Sequence, residues 1–164
     1  MSRAFVKDDA PQDDDLPARP VSGRPNYVTR RGLELLEGRV RELKRARADL
    51  LKRADDPETR RERGVVDRDL LYYEARLEGA LLVDHSGKGF EDARLGAAVE
   101  ASDAQGKRYR FEIVGEDEAD ADAGKLNWAS PLADALLGRK AGDTVLWERE
   151  DGSVELRVIS VSYP

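Results

Sequence analysis

Asp55-Asp56-Pro57-Glu58 lies between two long segments that share one heptad pattern, and its reading decides the fold. Asp56 offers a side-chain oxygen to the free N–H groups of a helix start. Pro57 suits the first helical position, where its missing N–H would have no partner, and Glu58 meets the positive end of the helix dipole. A helix therefore begins at Pro57. Upstream, from Thr29 as N-cap to Ala54, Leu36, Leu43 and Leu50 recur at one seam position and Leu33, Val40 and Ala54 at the other. Downstream, Val66, Tyr73 and Ala80 take one position and Leu70 and Leu77 the other. Stripes spaced alternately three and four residues apart zip together across a short turn. The pattern predicts an N-terminal antiparallel coiled-coil hairpin over residues 27–83 with its acidic tip at 55–58. A helix of roughly 25 residues spans about 37 Å, longer than a small core needs. Arg47 and Arg63 fall at seam positions, so the tip end has little apolar glue.

The chain has 164 residues, 40% hydrophobic and 38% charged, with a net charge of -6. That supports one or two small domains with modest cores. No cysteine is present and His85 is the single histidine, which excludes thiolate chemistry and a histidine metal site. No apolar run approaches the roughly 20 residues of a membrane span, and residues 1–15 carry five aspartates instead of a basic, apolar leader. The expectation is a cytoplasmic protein without a membrane partner. Charge is uneven: residues 27–83 hold 14 basic against 12 acidic side chains, residues 84–164 hold 10 against 17. An acidic C-terminal part argues against free duplex DNA as main partner.

Residues 1–26, with Pro11, Pro17, Pro20 and Pro25 among polar residues, read as a disordered tail in which Phe5-Val6 before Asp8-Asp9 is a candidate docking motif. Residues 84–93, with Gly87 and Gly89, read as a linker. From Arg94 the period changes to two. Strands are expected at Arg94–Ser102 and Lys107–Val114, and at Thr144–Arg149 and Val154–Ser162, the second pair joined around Asp151-Gly152. Between them lie the short segment Lys125–Ala129 and a helix capped by Ser130, opened by Pro131 and stopped by Gly138. Residues 94–164 thus make a small antiparallel sheet curled over one helix, and the fold class is α+β. The acidic run Glu116 to Asp122 lacks the glycine and terminal glutamate of a calcium loop.

Residues Ile113-Val114-Gly115-Glu116-Asp117-Glu118-Ala119-Asp120, then Gly124-Lys125, then Ser130 through Gly138, then Gly142-Asp143, resemble the Gre family of bacterial transcript cleavage factors. Tyr27-Val28-Thr29-Arg30-Arg31-Gly32-Leu33 is similar to the family's opening, and the resemblance covers roughly residues 27–163. It implies a coiled-coil hairpin followed by an FKBP-like C-terminal domain. It further implies a factor, not an enzyme in itself, that sits on RNA polymerase as a monomer and inserts the hairpin into the secondary channel. There tip carboxylates assist a magnesium ion shared with the polymerase active centre, so that backtracked RNA is hydrolysed at its 3′ end. By this resemblance Asp55, Asp56 and Glu58 are the tip acids, with Asp55 and Glu58 keeping the family's Asp-x-x-Glu spacing. Trp128, Ala129, Ser130 and Pro131 are polymerase contacts. No cofactor of the chain's own is implied.

The departures are specific. Thr59-Arg60-Arg61-Glu62 replaces the family's Asn-Ala-Glu or Asp-Tyr continuation, and Asp134 replaces its usual arginine. Aligning both hairpin ends leaves each arm about seven residues short, which removes about 10 Å of rod. That implies weak or absent cleavage and a modulator or competitor of full-length factors. The basic residues Arg45, Lys52, Arg53 and Arg60 are candidates for facing the channel or RNA phosphates, although a solvated helix face has the same composition. Two other classes remain: a prolyl isomerase, disfavoured because residues 94–164 offer few aromatics for a pocket, and a self-associating structural coiled coil.

Overall fold

The computed structural model describes residues 16–164. The tail's Phe5-Val6 and Asp8-Asp9 lie outside them. The remainder forms two compact units, one of residues 16–22 and 38–75, the other of 23–37 and 76–164. The boundary thus falls inside the helices and not at 84–93, where sequence places a linker.

In the first unit, helix α1 (Arg30–Leu50) and helix α2 (Pro57–Glu78) supply the packed pair. They run antiparallel: Lys44 pairs with Glu74 at 2.9 Å, Arg47 with Asp67 at 2.6 Å and Arg53 with Glu62 at 2.6 Å, one number rising as the other falls. Along α1 the expected stripe is buried at Leu36, Val40, Leu43 and Leu50. Its partners Val66, Leu70, Tyr73 and Leu77 on α2 are half-buried. Two corrections follow. The helix stops at Leu50 and not at Ala54, because the Arg53 N–H reaches only back to Leu50 O at 3.2 Å and Pro57 holds the preceding backbone extended. Arg47 leaves its seam place for solvent, where Asp67 receives it.

In the second unit, strands β1 (Asn26–Val28) and β2 (Ala80–Leu82) pair in parallel. Residues 80–82 are therefore strand, not the end of a longer helix. A five-stranded sheet follows, ordered β5-β4-β3-β7-β6, from β3 (Ala98–Ser102), β4 (Arg108–Val114), β5 (Lys125–Asn127), β6 (Thr144–Arg149) and β7 (Gly152–Ser162). It is mixed and not purely antiparallel, since β5 joins β4 in parallel with Ile113 opposite Leu126. The return from β4 to β5 passes through a 3-10 turn at Glu116–Glu118 and closes at Gly124, whose φ is 71° and where an added Cβ would stand 2.6 Å from Arg110 O, so that no side chain fits.

Helix α3 (Pro131–Leu136) lies against this sheet and fills its concave side with Leu132, Ala133 and Leu136 over Val99, Phe111, Ile113, Val145, Leu156 and Val158. The expected linker is packed: Ala93 is buried, the Tyr163 hydroxyl donates to Asp92 O at 2.5 Å, and His85 Nδ1 lies 3.0 Å from Leu95 O. Nor is residue 26 tail, because Asn26 is buried in β1. Among the described residues no helix is long and apolar enough to cross a membrane.

Candidate functional site

The tip is built by the cap of α2. Asp56 Oδ1 accepts the Thr59 N–H at 2.8 Å and Asp56 O accepts the Arg60 N–H at 3.0 Å, with Pro57 at the first helical position. The Thr59 N–H, with Arg53 in support, holds the Asp56 carboxyl below its ordinary range against a smaller opposing effect of burial. Asp56 is thus engaged as a cap. Asp55 stays solvated at 70% side-chain exposure, with Arg60 4.0 Å away. Glu58 is exposed in the first turn of α2. The structure places Asp55 and Asp56 in the exposed loop before α2 and Glu58 in its first turn. Among the described residues, however, no group of three or more Asp, Glu, His or Cys converges as a metal site.

Of the four basic candidates, three already face acids: Lys52 pairs with Asp49 at 2.9 Å, Arg53 with Glu62 at 2.6 Å and Arg60 with Asp55. Arg45 is exposed on α1. Exposed pairs of this kind contribute about 0.2 to 1 kcal/mol and are screened by salt.

The second candidate segment lies in the other unit. The Trp128 N–H donates to Val114 O at 2.9 Å, the Ala129 N–H to Asn127 Oδ1 at 2.9 Å and the Ser130 N–H to Asn127 O at 2.8 Å. Ser130 Oγ then accepts the Ala133 N–H at 3.3 Å as the cap of α3, and Pro131 stands exposed on its first turn. Trp128 sits edge-on to Tyr27 at 5.2 Å with its Nε1 buried and without a hydrogen-bond partner. The result is a rigid corner that presents Pro131 and, one turn on, Asp134 to solvent.

Sequence reasoning missed what the acidic run does. Arg76, with its side chain 2% exposed, places Nε 2.6 Å from Asp117 Oδ2 and Nη2 3.1 Å from Glu116 Oε2. The same Nη2 donates to Asn26 Oδ1 at 2.5 Å, and Asn26 Nδ2 donates to Arg76 O at 2.7 Å. Glu118, also buried, accepts from the Thr29 hydroxyl at 2.5 Å and lies 3.6 Å from Lys125 Nζ. These carboxylates are structural ion-pair partners, not ligands awaiting calcium. The signal available was an arginine near the apolar end of α2, Arg76, and an acidic triplet, Glu116 to Glu118, with no basic neighbour in sequence.

Residues 90–163 match the family model "Transcription elongation factor, GreA/GreB, C-term". Over 153 residues the chain is 33% identical to the transcription elongation factor GreA of Ralstonia nicotianae, covering 83% of this chain and 96% of that protein. The chain belongs to the GreA/GreB family of transcription elongation factors. GreA of Pseudomonas aeruginosa is 31% identical over 156 residues with the same coverages. Among solved structures, GreA factor homolog 1 (Gfh1) of Thermus thermophilus is similar at 24% identity and a TM-score of 0.40, covering 85% of this chain and 99% of that one. Both the tip and the Trp128 to Pro131 corner fall inside a chain that spans nearly the whole length of these GreA relatives.

Proposed function

We propose that this chain is a cytoplasmic, monomeric RNA polymerase-binding elongation factor. Its hairpin, acting as an antiparallel coiled coil, enters the secondary channel, and its FKBP-like C-terminal part grips the channel rim through Trp128, Ala129, Ser130 and Pro131. The active site stays the polymerase's own, and this chain contributes no catalytic residue of its own. Carboxylate oxygens are the hard donors that magnesium prefers, so Asp55 and Glu58 suit an ion shared with the polymerase and the nascent RNA 3′ end. A magnesium ion so held would supply a water of lowered pKa. The chain's part is to hold two exposed oxygen donors at the end of a capped helix.

The observation that carries this reading is the state of the tip: Asp56 is spent on the helix cap, Asp55 faces Arg60, and among the described residues the acids form no cage by themselves. Together with a rod shortened by about 10 Å relative to the family pattern, this favours occupancy of the channel with weak or absent cleavage. The factor then modulates elongation or competes with full-length cleavage factors. Prolyl isomerisation is disfavoured because Tyr109, Phe111 and Trp147 pack on one another, at 5.5 to 6.0 Å between ring centroids.

The test uses halted, backtracked polymerase complexes, with wild type compared with Asp55→Asn/Glu58→Gln. Little RNA shortening by wild type, and suppression of cleavage by an added full-length factor, support the proposal. Robust cleavage that disappears in the double variant overturns the modulator reading, and no binding of polymerase by a folded wild-type chain overturns the whole.

A further inference from the structure

From Leu16 to Pro25 a single residue is not exposed, and it is Arg19. Its guanidinium carbon lies 4.0 Å from the centroid of the Tyr72 ring and 5.1 Å from that of Tyr73. Its Nη1 is 3.5 Å from Asp69 Oδ1. Asp69, Tyr72 and Tyr73 project from one face of α2 because residues three and four apart are neighbours on a helix. The two rings stand edge to face, 5.1 Å apart at 87°, so that they form a step with a carboxylate beside it. The side chain of Asp69 is only 16% exposed and is also held by Arg68 at 3.1 Å, while Arg39 lies 5.7 Å from the Tyr73 ring.

This arrangement selects one kind of ligand. A guanidinium is planar and weakly hydrated, and it stacks on an aromatic face while its edge donates to a carboxylate. An ammonium is compact and strongly hydrated and loses more on leaving water. The residue now seated there belongs to a segment without helix or strand, whose large apolar side chains Leu16 and Val21 are 36% and 51% exposed.

We propose that Asp69, Tyr72 and Tyr73 are a guanidinium-binding site, plugged in the isolated chain by Arg19 and open to an arginine side chain of a protein partner once the segment 16–25 is drawn aside. The site takes an arginine-bearing peptide segment. Arg19 acts as a tethered competitor, whose effective concentration, on the order of millimolar for a short tether, sets how tightly a partner must bind to replace it.

The test titrates full-length protein with N-acetyl-arginine amide, and separately with N-acetyl-lysine amide, following the tyrosine ring resonances by NMR. Wild type, Arg19→Ala, Arg19→Gln and Arg19→Ala/Asp69→Asn are compared, with far-UV circular dichroism to establish that each is folded. Tyr72 and Tyr73 should shift and saturate in both Arg19 variants. Wild type should need at least threefold more arginine amide, the Asp69→Asn background should bind at least threefold more weakly than Arg19→Ala, and the lysine amide should bind more weakly throughout. Absence of saturating shifts in the folded Arg19 variants overturns the proposal. So do identical titrations of wild type and variants, or a lysine amide that binds as well as arginine.

Discussion

Replacing Arg76 by methionine should be among the most damaging single changes in the C-terminal unit. The guanidinium contacts Asp117 at 2.6 Å and Glu116 at 3.1 Å, and the carboxylates themselves are 13% and 16% exposed. Methionine fills much of the stem's volume but removes the cation shared by two part-buried carboxylates, with Asn26 Oδ1 losing the Arg76 donor as well. Breaking a buried pair in this way costs about 3 to 5 kcal/mol, and the residual exposure of the acids places the expectation at the lower end, about 3 kcal/mol. Urea unfolding followed by tryptophan fluorescence reads this unit directly, because Trp128 and Trp147 both lie in it. With a slope of about 1 to 3 kcal/mol per molar, the midpoint should fall by about 1 to 3 M at unchanged slope. The cause is the stranded charge and not lost packing, so Glu116→Gln/Asp117→Asn added to Arg76→Met should recover at least about 1 kcal/mol. A loss below about 1 kcal/mol for Arg76→Met, or a triple variant no more stable than the single, would refute the reasoning.

Pro131→Glu, which keeps the Ser130 cap and places a negative charge at the favoured end of α3, should leave the circular dichroism unchanged and lower polymerase affinity several-fold in a pull-down or fluorescence titration. Amide exchange should be fastest from Arg47 to Arg63, since residues 51–58 are all exposed, and uniform protection along both helices would count against that. The Ser86 hydroxyl, with the Ser86 N–H and Arg30, lowers the Asp84 carboxyl from 3.8 to about 2. Because the folded value is the lower one, the stability it confers is present above about pH 4 and is lost as pH falls toward 2. A carboxyl NMR titration with its midpoint above 3.5 would contradict this.

What could be read from sequence was what local chemistry decides. Asp56-Pro57 and Ser130-Pro131 each carry their own cap acceptor and their own helix-opening proline, and both helices start where those residues say. The antiparallel pairs β3 with β4 and β6 with β7 are joined by tight turns whose residues are contiguous, so alternation sufficed. Apart from the early end of α1 at Leu50, the misses depend on partners far away in the chain. Residues 80–82 continue an apolar rhythm that suits helix, and only pairing with Asn26–Val28 makes them strand. Likewise Lys125–Asn127 has no alternation of its own and is strand because β4 lies beside it. Arg47 was assigned to the seam by spacing alone, but a long cation reaches solvent from a seam edge when an acid such as Asp67 waits there. At the tip, the sequence marks Asp56 as a cap acceptor while the family resemblance groups it with Asp55 and Glu58, and the hydrogen bond from the Thr59 N–H shows that the cap role takes it.

The parallel ribbon of β1 and β2 carries a consequence for the order of folding. Its strands join positions 54 residues apart and the Asn26 to Arg76 bonds beside them positions 50 apart, and closing so long a loop in an unstructured chain costs entropy before any contact repays it. Formation of the intervening hairpin from contacts local to its turn brings the two ends together first. The ribbon then forms late, after the rate-limiting step has passed. Substitutions at Leu43 or Leu50 should therefore slow refolding, whereas substitutions at Asn26 or Val28 should chiefly hasten unfolding.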